Sequence, residues 1–128
     1  MAPNSVVLSL TEARMPLTYE DTSNEVRRIS LSGRLDTVGS EEIAEELASL
    51  AASANRGVVV DLSQVTFLSS MGIRALISAA KARQANGGRM VLLVDGSDVV
   101  VRTLEATGVD ELIPVYDDAE DAERAVLA

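Results

Sequence analysis

The chain has 128 residues and a formal net charge of −9, and 47% of its residues are apolar although only 2% are aromatic. It contains neither Cys nor His, which excludes a disulfide framework, a thiolate metal site and the commonest base for a nucleophilic serine. The negative charge argues against nucleic acid as a partner, because phosphate binding requires a basic surface.

The first part of the chain predicts a hairpin of two strands. Residues 1–14 fit either an N-terminal arm or an extra edge strand. Residues 16–20 and 26–35 alternate between apolar and polar side chains, and the turn-forming segment 21–24 (DTSN) separates them. Alternation of this kind around a turn is typical of an antiparallel hairpin.

A helical period follows, and the first helix is predicted to begin at Ser40. Its apolar residues recur on one face: Ile43, Leu47, Leu50, Ala51 and Ala54. Glu41 and Glu42 would then lie in the first turn, where the helix dipole favours carboxylates. Gly57 is the expected C-terminal cap of this helix.

The rest of the chain alternates short apolar strands with helices. Strands are predicted at 57–62, 90–94 and 113–116, and short, mostly apolar runs are typical of a parallel sheet that helices cover. Helices are predicted from 70 or 71 to 86 and from 97 or 98 to 108. The order β-β-α-β-α-β-α-β-α indicates one α/β domain over 15–128, with a mixed sheet and about four helices packed on it.

The last helix is predicted to run to the C-terminus. Asp117 and Glu120 have the spacing of a capping box, in which each side chain hydrogen-bonds a backbone amide near the other.

Catalytic signatures are weak. Residues 78–81 (SAAK) match the S-x-x-K pattern of β-lactamases, but both polar side chains lie off the core face of an ordinary helix. The acidic pairs Glu41/Glu42 and Asp117/Asp118 could bind Mg²⁺, but they fall at predicted helix starts, where carboxylates stabilise the helix. No combination of nucleophile, base and oxyanion donor emerges, so we expect neither an enzyme nor a cofactor or metal site.

Two short segments stand where strands meet helices. Residues 69–72 (SSMG) open the second helix, and on pattern alone a serine hydroxyl there is an N-cap, worth about 1 kcal/mol. In residues 31–36 (LSGRLD), Gly33 permits a bulge, and Asp36 initiates a turn or caps a helix.

A polar stripe continues along the second helix, formed by Arg74, Ser78 and Lys81. It is either a solvated helix face or a source of positive charge near the helix N-terminus, which already favours anions. The pattern leaves both interpretations open.

Four segments resemble the STAS domain of bacterial anti-sigma factor antagonists: 31–37 (LSGRLDT), 57–76 (GVVVDLSQVTFLSSMGIRAL), 87–94 (GGRMVLLV) and 101–122 (VRTLEATGVDELIPVYDDAEDA). The resemblance covers roughly residues 15–128 and implies the STAS fold, with helices largely on one face of the sheet. It also implies a partner switch. The unmodified antagonist binds an anti-sigma factor that is a serine kinase, phosphorylation of the antagonist ends the complex, and a serine phosphatase resets it.

The resemblance also implies site residues. The family pattern Asp-Ser-Ser-Gly, aligned on Gly72, makes Ser70 the phosphate acceptor and Ser69 the alternative, with Ser69 standing where the family has Asp. The acceptor serine would also cap the helix while it is unmodified. The implied partner-binding surface consists of six residues: Asp36, Thr37, Ser69, Met71, Gly72 and Arg74.

The leading hypothesis is a phosphorylation-controlled anti-sigma factor antagonist. No apolar run approaches the roughly 20 residues of a membrane span, so we expect a soluble cytoplasmic protein, either a monomer or a weak dimer. The alternative is a STAS scaffold without a phosphoswitch, such as a stressosome-like component or an accessory subunit of a transport system. A third class, an enzyme or nucleotide-binding domain using Asp36, Asp61 and Ser70, is disfavoured because no glycine loop that could cradle phosphates is present.

Overall fold

The computed structural model of the protein describes residues 16–95 and 98–127, so the predicted arm or edge strand over 1–14 lies outside the described residues. The described strands are β1 (Leu17–Asp21), β2 (Arg27–Leu35), β3 (Val58–Leu68), β4 (Met90–Leu93) and β5 (Val115–Tyr116). The helices are α1 (Thr37–Ala52), α2 (Ser70–Ala85), α3 (Asp98–Thr107), α4 (Val109–Leu112) and α5 (Ala119–Leu127).

The strands form one mixed sheet in the order β1-β2-β3-β4-β5. β1 pairs with β2 in the antiparallel sense, and β2, β3, β4 and β5 pair in parallel. The predicted mixed sheet with an N-terminal antiparallel hairpin is therefore confirmed. Because parallel strands end at the same edge of a sheet, α1 and α2, which follow β2 and β3, begin side by side at that edge.

Most of the core lies on one face of the sheet, as predicted. A large cluster of Val, Leu, Ile, Ala and Met side chains fills the space between the sheet and α1 to α4. A smaller cluster on the opposite face lies under α5: Val26, Val59, Val91, Leu93, Ala122 and Val126. Within residues 16–95 and 98–127, every helix is too short or too polar to span a lipid bilayer.

A bulge displaces the end of β3 relative to β2. Gly33 pairs with Val65 but Arg34 pairs with Phe67, so β3 gains one residue at this point. Gly33 has a φ angle of 80°, which a glycine adopts without strain, and the predicted bulge is therefore confirmed. Because of the extra residue, Val65 and Leu68 both remain in the core although they are three positions apart.

The first helix begins earlier than its apolar period indicated. α1 starts at Thr37, and the Asp36 carboxylate accepts a hydrogen bond from the Gly39 amide at 2.9 Å. The predicted start at Ser40 is therefore wrong, because the cap rather than the apolar stripe sets the boundary. Glu41 and its neighbour Glu42 consequently lie beyond the first turn, which holds no acidic residue.

Gly57 lies where α5 crosses the sheet, and the prediction that it caps α1 is wrong. α1 ends at Ala52, and Ser53 is the C-cap. A Cβ on Gly57 would lie 2.3 Å from the Cβ of Val126 in α5. The φ angle of Gly57 is not in the left-handed region. The glycine is therefore required by the close approach of α5 and not by backbone freedom.

Two further differences occur near the C-terminus. A one-turn helix, α4, follows Gly108 and was not predicted. The cap of α5 is Asp118, whose carboxylate accepts a hydrogen bond from the Glu120 amide at 2.9 Å. The predicted capping box of Asp117 with Glu120 is therefore wrong, because α5 begins one residue later than that box requires.

An ion pair joins β2 and β3. The Arg28 guanidinium lies 3.1 Å from one carboxylate oxygen of Asp61, and the other oxygen accepts the Ser63 amide hydrogen bond at 2.9 Å. Burial alone would raise the pKa of Asp61. The hydrogen bonds from Ser63 and Arg28 outweigh that effect and hold the pKa below its usual value.

We expect Gly57→Ala to destabilise the fold by about 1–3 kcal/mol, because the added methyl overlaps Val126 in a packed contact. Urea denaturation measures the change in the free energy of unfolding. Asn55→Ala, an exposed substitution in the same loop, is the control and should change that free energy by no more than about 0.5 kcal/mol. Equal stability of the two variants would contradict the close approach of α5.

We expect Asp61→Asn to change how stability depends on pH. A carboxyl whose pKa is lowered by folding contributes stability above its unfolded-state pKa, and that contribution is lost as pH falls through the folded-state pKa. The stability difference between wild type and Asp61→Asn should therefore be largest near neutral pH and shrink between about pH 5 and pH 2. Thermal unfolding across this range measures it, with the exposed Asp110→Asn as control; a difference independent of pH would refute the assignment.

Candidate functional site

Two helices begin side by side at the carboxyl edge of the sheet. Asp36 caps α1 and Ser69 caps α2, and the two helices pack against each other. The first turn of each helix leaves backbone amides without intrahelical partners, and each helix dipole places partial positive charge at its N-terminus. This corner, formed by residues 34–40 and 67–74, is the candidate site.

A single backbone carbonyl joins the elements at the corner. The Leu35 carbonyl accepts the Ser69 amide at 2.9 Å, the Ser69 hydroxyl at 2.6 Å and the Ser40 hydroxyl at 3.1 Å. Ser40 is buried in the first turns of α1. The end of β2, the start of α1 and the N-cap of α2 are therefore fixed to one another.

Gly72 permits α2 to approach this carbonyl. A Cβ at Gly72 would lie 2.7 Å from a methyl carbon of Leu68 and 3.2 Å from the Leu35 carbonyl oxygen. Gly72 is buried, so what it supplies to the site is this close approach.

The sequence predicted that Ser70 both caps α2 and accepts phosphate, and the structure shows a different cap. The Ser69 hydroxyl accepts the Gly72 amide at 3.2 Å while it donates to the Leu35 carbonyl. Ser69 is thus the N-cap, and the expectation that Ser70 caps the helix is wrong. Ser70 is the first residue of α2 and is exposed. The Ser69 hydroxyl can accept from the Gly72 amide and donate to the Leu35 carbonyl because the Ser69 backbone is extended, with a ψ angle of 174°.

The other predicted site residues surround this cap. Asp36 has its capping oxygen on the Gly39 amide, and its second oxygen lies 3.9 Å from the Arg34 guanidinium. Arg34 also stacks over Phe67, with 4.4 Å between the guanidinium carbon and the ring centroid. Of the remaining residues, Thr37 and Arg74 are exposed and Met71 is half-buried.

Sequence reasoning missed Val38, which is 70% exposed in the first turn of α1. It offers an apolar contact beside the polar corner, a combination that suits a protein partner. Val38 is apolar but lies outside the helical stripe that begins at Ile43, and this departure from the pattern could have revealed it. The Leu35 carbonyl was also missed, and no pattern of side chains could have indicated a backbone atom.

Charge differs between the outer faces of the two helices. α1 exposes four carboxylates: Glu41, Glu42, Glu45 and Glu46. α2 exposes Arg74 and Lys81. In the part of the chain that the structure describes, no three acidic side chains gather in a way that could hold a metal ion. The corner therefore combines exposed charge of both signs with a small apolar contact.

The family model described as "STAS domain" matches residues 20–122. The chain belongs to the STAS domain family of anti-sigma factor antagonists. A curated relative, the anti-sigma-B factor antagonist of Staphylococcus aureus, is 26% identical over 99 residues, which cover 77% of this chain and 91% of the relative.

Solved structures of other proteins share the fold of this chain. The crystal structure of an anti-sigma factor antagonist from Mycobacterium paratuberculosis is 28% identical, with a TM-score of 0.73 over 86% of this chain and 92% of that one. The Bacillus cell fate determinant SpoIIAA in its phosphorylated form is 20% identical, with a TM-score of 0.62 over 85% of this chain and 98% of that one. At that identity the likeness to SpoIIAA concerns the fold alone.

We expect Ser69→Ala to lower the free energy of unfolding by about 1–2 kcal/mol, because it removes the N-cap of α2 and the hydroxyl bonded to Leu35. Ser69→Thr keeps a hydroxyl and should recover most of the loss. Ser70→Ala is the matched control and should change the free energy by no more than about 0.5 kcal/mol. Chemical denaturation of the three variants measures this order; a larger loss in Ser70→Ala would reverse the assignment of the cap.

Proposed function

We propose that this STAS protein is an anti-sigma factor antagonist that is controlled by phosphorylation of Ser70. It binds an anti-sigma factor serine kinase while Ser70 is unmodified and releases it once Ser70 carries phosphate. A serine phosphatase restores the unmodified form. The protein acts in the cytoplasm, as a monomer or weak dimer and a single domain over 15–128, through binding and without catalysis of its own.

The observation that carries the proposal is the exposure of Ser70 beside a neighbour whose hydroxyl is already engaged. A kinase transfers the γ-phosphoryl group of ATP to a hydroxyl oxygen, the hydroxyl loses its proton and ADP leaves, so the acceptor must be accessible. Ser70 is exposed at the first position of α2. Modification of Ser69 would instead remove the helix cap and press a phosphate against the Leu35 carbonyl.

The position of Ser70 explains how the free protein tolerates the phosphate. Phosphoserine carries about −1.5 to −2 charges at pH 7, and the N-terminus of a helix favours an anion. The cap of α2 does not involve the Ser70 hydroxyl, so its hydrogen bonds survive the modification. The fold is therefore expected to persist after phosphorylation.

We expect the complex with the anti-sigma factor to tolerate a phosphate on Ser70 less well than the free protein does. In the bound state the phosphate would lie against the partner, where repulsion and loss of hydration raise the dissociation rate. A coupling free energy of about 1–3 kcal/mol corresponds to a change in affinity of roughly 5–150-fold.

The residues around Ser70 support a protein partner. Thr37, Val38 and Arg74 are exposed at the corner, and Met71 is half-buried beside them. The acidic face of α1 favours a partner that presents basic side chains there.

The relatives support the same class of partner. The relative from Staphylococcus aureus is named as an antagonist of the anti-sigma-B factor, and SpoIIAA has been solved in a phosphorylated form. A protein of this fold can therefore carry phosphate, and a relative that shares most of its length with this chain acts on an anti-sigma factor.

We expect Ser70→Asp to weaken binding of the cognate anti-sigma factor roughly 5–150-fold, and Ser70→Ala to keep the affinity within about 3-fold of wild type. Titration calorimetry with the purified kinase measures both dissociation constants. Ser78→Asp is the matched control, because it adds the same charge at an exposed position of α2 about two turns further along.

The acceptor is identified separately by mass spectrometry after incubation with the kinase and ATP. Phosphate should be found on wild type and on Ser69→Ala, provided that variant is folded, and not on Ser70→Ala. If Ser70→Asp binds as tightly as wild type and no phosphate is transferred to Ser70, the switch is refuted and a STAS scaffold without a phosphoswitch is left.

A further inference from the structure

Arg74 lies one helical turn after Ser70 on the same exposed face of α2. Side chains four positions apart on a helix are neighbours, with their Cβ atoms about 5–6 Å apart. An anion that precedes a cation by four residues is also the more favourable order, because it agrees with the helix dipole. A phosphate on Ser70 would therefore have a guanidinium within reach and correctly placed along the helix.

Arg74 forms no salt bridge with any residue in 16–95 or 98–127, whereas four other arginines do: Arg27, Arg28, Arg34 and Arg124. Two charged groups of the corner come from the β2–α1 junction. Arg34 is already beside Asp36 and stacked on Phe67, and the Asp36 carboxylate would repel a second anion. A counter-ion would stabilise a phosphate here, and of the two exposed cations of α2, Arg74 lies one turn from Ser70 whereas Lys81 lies about three turns away.

We propose that Arg74 is a switched counter-ion: it pairs with phosphoserine at position 70 and is free to contact the anti-sigma factor when Ser70 is unmodified. The proposal rests on the proposed function of Ser70 and specifies how the phosphate acts there. Phosphorylation then changes the partner surface twice, because it adds negative charge and withdraws a cation. Arg74 stabilises the phosphate in the free protein, and the complex loses the contact that Arg74 makes with the anti-sigma factor.

The test uses phosphoserine incorporated at position 70 during synthesis, so that it does not depend on a kinase. Titration followed by ³¹P NMR at low salt measures the second pKa of the phosphate. A nearby cation favours the dianion, so Arg74→Gln should raise this pKa by about 0.2–0.4 relative to the wild-type phosphoprotein. Arg74→Lys should recover part of the effect, and added salt should reduce it.

Lys81→Gln is the matched control, because it removes the same charge from an exposed position of α2 about three turns from Ser70. Its phosphate should titrate as in the wild-type phosphoprotein. An identical phosphate pKa in Arg74→Gln and Lys81→Gln would overturn the proposal. Circular dichroism of each variant confirms that the helix is intact, so an unfolded variant cannot produce the expected result.

Binding provides a second readout. In unmodified protein, Arg74→Gln should weaken binding of the anti-sigma factor about 3–10-fold, as expected for loss of a charged contact. The factor by which phosphoserine 70 weakens binding should then be smaller in Arg74→Gln than in wild type, since the cation is already absent. Equal factors in the two proteins would contradict a shared role for Arg74.

The two proposals fail in different ways. A kinase that leaves Ser70 unmodified overturns the proposed function, whatever the phosphate pKa in the synthetic phosphoprotein. A phosphate pKa that does not respond to Arg74→Gln overturns the counter-ion, even where phosphorylation of Ser70 releases the partner.

Discussion

The Leu35 carbonyl accepts hydrogen bonds from both the amide and the hydroxyl of Ser69 and from the hydroxyl of Ser40. The bonds from Ser69 join segments 34 residues apart in the chain, and the bond from Ser40 fixes the start of α1 to the same carbonyl. Two register shifts between β2 and β3, one between Ser30 and Ser32 and one at Gly33, set the position at which β3 ends, and that position brings Ser69 to Leu35. Gly72 then lets α2 pass close enough for the bonds to form. The geometry of the whole corner, including the exposure of Ser70, depends on this contact.

A neutral residue at the N-cap of α2 has an electrostatic consequence. The resemblance to STAS antagonists implies an Asp at the position where this chain has Ser69. A carboxylate at the cap would lie next to a phosphorylated Ser70 and repel it, whereas the Ser69 hydroxyl provides the cap without that charge. Asp36 then remains as the carboxylate of the neighbouring cap. Ser69 at this position is therefore compatible with the proposed phosphoswitch, because it lowers the electrostatic repulsion that a phosphate on Ser70 would meet in the free protein.

The sequence predicted those features that depend on periodicity and failed where distant contacts decide. Apolar runs such as 90–94 identified buried strands, since parallel strands covered on both faces have few polar positions. The start of α1 was predicted too late because the apolar stripe begins two turns after Asp36, which the sequence left as either a helix cap or the start of a turn. Gly57 was misread because its close neighbour, Val126, lies at the far end of the chain. Choosing between two adjacent serines requires the backbone angles that the fold imposes on Ser69.

The far ends of α1 and α2 are also tied together. Arg83 is buried, and its guanidinium donates hydrogen bonds to the Ala54 carbonyl, just beyond α1, and to the Asn86 carbonyl at the end of α2. A cation there complements the negative ends of both helix dipoles. Because the helix pair is held at one end by Arg83 and at the other by Leu35, displacing α2 would break buried hydrogen bonds. A phosphate on the exposed Ser70 would break none of these hydrogen bonds, so the proposed switch would act through charge on a fixed surface and not through movement of the helix.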